Sequence, residues 1–130
     1  MSTTQANYKV TIEKSSRELT AREKLKVMDT TGAEKLNDIT DNGVQVEIKV
    51  SAWAVLHIEN DKAEDKEYSN YVIMDTDGAV YTTGSSSFGK AFEQIAEVMK
   101  DEPEEDFTIR VFSRPSKNYK GKSFLTCSLV

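Results

Sequence analysis

The chain has one cysteine, Cys127, and one histidine, His57. A lone thiol closes no disulfide within the chain. A lone imidazole, with no cysteine or second histidine near it in sequence, offers no zinc-ligand spacing. There is no phosphate-cradling glycine loop and no acid-pair motif. The DTDG at 75–78 lacks the repeated ligands and closing Glu of an EF-hand calcium loop and reads better as a turn. No apolar run approaches the roughly 18 residues of a membrane helix. The opening MSTTQANYKV lacks the basic-then-apolar pattern of a signal peptide. Repeats and low-complexity tracts are missing as well. These gaps argue against an enzyme, a metal or a cofactor, against a membrane partner and for the cytoplasm. An enzyme would need a pocket converging on His57 or Cys127.

What the sequence does have is alternation. From 44 to 58, in VQVEIKVSAWAVLHI, every even position is apolar, the period of a strand with one buried face. At about 3.3 Å per residue such a strand would span roughly 50 Å, so it should bend, with Ala52 and Ala54 as the place. The odd positions turn from polar to Trp53 and Val55, which suggests cover on both sides of the far half. After the polar loop NDKAEDKE, residues 71–83 read as a hairpin around Asp77-Gly78. Gly84 and the serines at 85–87 stop the strand and can cap a helix. Phe88, Phe92, Ile95 and Met99 then form one helical stripe, ended by Pro103. Residues 107–112 and 123–130 are two further strands.

Strand, strand, strand, helix, strand, strand is the order of the five-stranded Greek-key barrel called the OB-fold. The expected class is therefore all-β with one helix, with residues 44–130 as the barrel and 1–43 as an N-terminal arm and extension, in one compact domain. Within the extension, 8–13 resembles a short strand. Thr20 and Glu23 could form a capping box for a short helix through Val27, and 29–43 reads as a connection. The first twelve residues are mostly polar and could reach a neighbouring copy, which would give self-association through the arm.

Charge is distributed unevenly. The chain carries 17 basic and 22 acidic residues, yet 110–129 holds five basic residues and no acid. Outside that stretch 12 basic residues stand against 22 acidic ones, a net of −10. On an OB-fold this segment covers the loop between the fourth and fifth strands, one of the places where the fold grips ligand. Cations interleaved with rings suit single-stranded nucleic acid, because cations track phosphates and rings stack on bases. The candidate contacts are Arg110, Phe112, Arg114, Lys117, Tyr119, Lys120 and Lys122. Tyr71 and Tyr81, on the hairpin, rank next, ahead of Trp53, and burial in the barrel competes for all three. A bland alternative is a solvated hairpin whose lysines keep an edge strand soluble.

Three stretches, TIEKSSRELTAREKLKVMDT, YVIMDTDGAVYTTGSSSFGKAFEQIAEVM and SKNYKGKSFLTCSLV, resemble the small single-stranded-DNA-binding proteins of conjugative plasmids and phages of Gram-positive bacteria. The resemblance spans most of the chain. It implies an OB-fold, sequence-tolerant binding of single-stranded DNA, and a role in DNA transfer or replication. Housekeeping relatives of that kind end in an acidic recruiting tail, whereas this sequence ends in a strand, so recruitment by such a tail is not expected. The rival reading is an acidic protein-interaction module or DNA mimic, motivated by NDKAEDKE and KDEPEED.

Overall fold

The computed structural model describes residues 8–16, 18–29, 32–60, 67–101, 107–115 and 123–130. Its elements run β1 (Tyr8–Ser15), α1 (Ala21–Met28), β2 (Glu34–Lys35), α2 (Leu36–Ile39) and β3 (Val46–Asn60). Then follow β4 (Glu67–Asp75), β5 (Val80–Thr83), α3 (Ser86–Met99), β6 (Phe107–Pro115) and β7 (Ser123–Leu129). The strands form one seven-stranded sheet, ordered β2-β5-β4-β3-β6-β7, with β1 also paired to β3. This sheet curls into a half-barrel.

β3 is the organising strand. One of its edges carries β6 along 46–50 and β1 along 54–60, while the other carries β4 along 50–59. The register with β4 slips between Val50 and Ala52. A one-residue slip sends the following side chains to the opposite face. Ile48 and Val50 therefore join a core with Ile73, Phe88, Phe92, Ile109, Val111, Leu125 and Cys127, on the face that packs against α3. Ala52, Ala54, Leu56 and Ile58 join a second core with Val72, Met74, Leu19 and Val27, under α1. The even-numbered apolar series is continuous in sequence, but it feeds two cores on opposite faces.

Local chemistry explains the helices. Ser85 caps α3, its hydroxyl accepting from the Phe88 amide at 3.3 Å. Phe88 and Phe92 are fully buried and stacked with centroids 5.7 Å apart. Burial of such a ring stabilises by about 1.5–3 kcal/mol. Thr20 and Glu23 form the capping box of α1: the Glu23 amide donates to Thr20 Oγ1 at 3.2 Å, and the Thr20 amide to Glu23 Oε1 at 2.9 Å. At the β4–β5 turn Gly78 holds a φ of 91°, a conformation side chains resist.

Besides α3 the fold has α1, the short helix expected behind the Thr20–Glu23 capping box, and the unexpected one-turn α2, so it holds more than the one helix of the expected class. The segment read as a connection contains β2 and α2. They form because Leu36 is fully buried and the Thr40 hydroxyl closes the turn onto the Leu36 carbonyl at 2.7 Å. β1, in the extension, lies antiparallel along the far half of β3.

Gly89 of α3 is buried with the Tyr71 ring against it, so that a Cβ there would overlap the phenol. Gly89→Ala should gain about 1 kcal/mol of helix propensity but lose more to overpacking, which typically costs about 1–3 kcal/mol. A fall in the urea midpoint is expected. An unchanged or higher midpoint would show that Tyr71 does not pack there.

Candidate nucleic-acid interface

Alternation along β6 turns Ile109 and Val111 into the α3-side core and leaves Arg110, Phe112 and Arg114 on the outer face. β7 alternates in the same sense: Leu125 and Cys127 are buried, while Phe124 is 40% exposed. The ladder sets Arg110 opposite Ser128, Phe112 opposite Thr126, and Arg114 opposite Phe124. Phe112 and Phe124 are thus diagonal neighbours, within reach of one another on one face. The Arg114 guanidinium lies 5.1 Å from the centroid of the Phe112 ring, a cation–π geometry. On β3, Glu47 and Lys49 alternate with buried Ile48 and Val50 and face the same way. Arg110 donates from Nε at 3.3 Å and from Nη2 at 2.9 Å to Glu47 Oε2. Among the described residues the outer face of β3, β6 and β7 is therefore a mixed surface of two rings, three cations and one paired acid.

Lys117, Tyr119, Lys120 and Lys122 lie outside the described residues. The segment that contains them joins the ends of β6 and β7, where Pro115 faces Ser123, next to Arg114 and Phe124.

The other three candidate rings are not on this surface. Trp53 packs edge-on against Phe92, with centroids 5.5 Å apart, and Tyr71 edge-on against Phe88 at 6.2 Å. Tyr81 packs against the same core. Trp53 and Tyr71 face α3, Trp53 because the slip in β3 moves the odd positions beyond it to that side, and Tyr81, opposite Ile73 in the β4–β5 ladder, lies on the same side of the sheet. Burial first, and then the Glu93 carboxylate, hold the Tyr71 phenol above its usual range. Burial and then Asp75 do the same for Tyr81. On the opposite face of this hairpin, Val72, Met74 and Val80 are covered by the second core. Both faces of β4–β5 thus carry packed core residues, whereas among the described residues no element covers the outer face of β6–β7.

Phe124 and Lys49 join the surface without having been picked out from the sequence. Their signal was present: Phe124 alternates with Leu125 and Cys127, and Lys49 with Ile48 and Val50. A cleft of about 390 Å³ lies elsewhere, between β2–α2 and the ends of β4 and β5, lined by Asn37, Asp38, Asn70 and Thr82 among others. Neither His57, Cys127 nor any candidate contact lines it. Among the described residues no group of three or more His, Cys, Asp or Glu is placed to hold a metal, and no helix is long and apolar enough to cross a membrane. Comparison with protein-family models, with curated proteins and with solved structures finds no match to this chain.

Two outcomes follow from these placements. Burial pushes the Cys127 thiol up to about 12. At pH 8 a thiol reagent should label the folded protein only as fast as it opens, and label the urea-unfolded protein at once. Because burial holds the thiol's folded pKa above its ordinary 9.0, its contribution to stability holds below about pH 9 and is lost as pH rises toward 12. Rapid labelling of the folded chain would contradict this. The second outcome concerns Trp53, the single tryptophan. Its emission should change little when oligo-dT is added, since its ring lies against Phe92. Strong quenching would place bases on the α3 side instead.

Proposed function

We propose that this protein is a non-enzymatic OB-fold module that binds single-stranded DNA with little sequence preference. Its task would be to protect or handle strands in the cytoplasm during conjugative transfer or phage replication. β3 to β7 supply the five strands, with α3 between the third and fourth. The pairing of β3 with both β4 and β6, and of β6 with β7, in a curled half-barrel sheet is compatible with such a barrel. Of the first twelve residues, read as an arm for self-association along a strand, 8–12 are paired to β3 within the chain, so that role would fall to residues 1–7, which lie outside the described residues.

The observation that carries the reading is the open outer face of β6–β7. There Arg110, Phe112 and Arg114 stand in one row, with Phe124 diagonal to Phe112. In this reading Phe112 and Phe124 are stacking platforms, each worth about 1–3 kcal/mol per base. Arg110, Arg114 and Lys49 track phosphates, joined by Lys117, Lys120 and Lys122, with Tyr119 as a further ring. The acidic excess elsewhere does not prevent this, since exposed charges beyond roughly 8 Å are largely screened at physiological salt.

Fluorescence anisotropy with labelled oligo-dT at several salt concentrations tests it. With about three to five phosphates contacted, log Kd against log salt should have a slope of magnitude near 2–4. Phe112→Ala or Phe124→Ala should weaken binding by about tenfold or more with the slope unchanged. Arg114→Ala should reduce the slope by somewhat under about one. No binding at low salt would overturn the proposal. Recovery of a nuclease or methyltransferase in a pulldown, with DNA binding absent, would favour the acidic interaction module instead.

A further inference from the structure

We infer that Glu47 is a built-in competitor for the phosphate that Arg110 would otherwise hold, so that the protein limits its own grip on the strand. The inference rests on the single-stranded-DNA reading above and adds a regulating residue to that site. Glu47 stands directly opposite Arg110 in the β3–β6 ladder. Arg110 turns both Nε, at 3.3 Å, and Nη2, at 2.9 Å, to the same oxygen, Glu47 Oε2. That guanidinium edge is the one a phosphate would take, because carboxylate and phosphate present the same acceptor geometry to it. The side chains of Arg110 and Glu47 are 42% and 53% exposed. An exposed pair of this kind is weakly held and open to exchange, so an incoming phosphate displaces the carboxylate. The displaced carboxylate then remains on the binding face as a like charge beside the bound phosphate. Arg114, four residues along, is oriented differently, over the Phe112 ring. The outer face thus holds one arginine matched to an internal anion and one laid on a stacking platform.

The test is anisotropy with oligo-dT across a salt series on the wild type, Glu47→Gln, Arg110→Ala and the double variant. Glu97→Gln serves as a control: Glu97 lies on α3, is 70% exposed and pairs with Lys100, and its substitution changes the net charge equally. Glu47→Gln should bind about three- to tenfold tighter at low salt. Its salt slope should steepen by just under about one, since a further phosphate contact is engaged. Most of that gain should vanish in the Arg110→Ala background, and Glu97→Gln should match the wild type. If the wild type binds and Glu47→Gln is weaker or unchanged, Glu47 merely positions Arg110 and this inference falls alone. An equal gain from Glu97→Gln would assign the effect to net charge and also overturn it. If neither wild type nor Glu47→Gln binds at low salt, the DNA-binding reading falls and takes this inference with it.

Discussion

The structure depends on the register slip between Val50 and Ala52 in β3. A strand of this length must serve two parts of a curled sheet, and an unbroken alternation would direct all its apolar residues to one side. The slip divides them. Val46, Ile48 and Val50 pack under α3, and Ala52, Ala54, Leu56 and Ile58 pack under α1. The small side chains of Ala52 and Ala54 follow the slip directly, where a bulging strand has least room. Each core then acquires its own helix: α3, anchored by buried Phe88 and Phe92, and α1, held chiefly by Val27.

This division also decides which surface remains open. The β4–β5 hairpin lies where the two cores overlap, so one of its faces is committed to α3 and the other to α1. β6 and β7 are covered on the α3 side, and among the described residues no element covers their other side. Their outward row is consequently free to carry charge and rings without loss of core. Arg110, Phe112 and Arg114 sit on paired strands, which limits the ordering entropy a ligand must supply. An acidic protein can carry such a surface because the charges that matter are those within a Debye length of it.

Features written in short stretches were legible in the sequence. The Asp-Gly turn, the Ser85 cap, the Thr20–Glu23 capping box, the α3 stripe and the run of strands from 44 to 130 each have a local chemical cause. The bend in β3 near Ala52 and the two-sided cover of its far half were legible too. The change of face was not, because a bulge leaves an alternating sequence unchanged while reversing its meaning. Trp53, Tyr71 and Tyr81 were accordingly candidates for stacking, although they lie on the α3 side of the sheet. β2 and α2 were missed because a two-residue strand and a single helical turn have no period to detect. Phe124 was readable from its alternation with Leu125 and Cys127, but an isolated ring near a chain end gives no hint of its cross-strand neighbour. For Lys117, Tyr119, Lys120 and Lys122, which lie outside the described residues, the sequence reading stands by itself.

The central claim is that the open outer face of β6–β7, and not the β4–β5 hairpin, is where a strand lies. Photo-cross-linking to an oligonucleotide containing 5-bromodeoxyuridine, with the adducts mapped by mass spectrometry, tests it most directly. The account predicts adducts on Phe112, Phe124 and the segment between β6 and β7. Adducts confined to Trp53, Tyr71 or Tyr81 would contradict it.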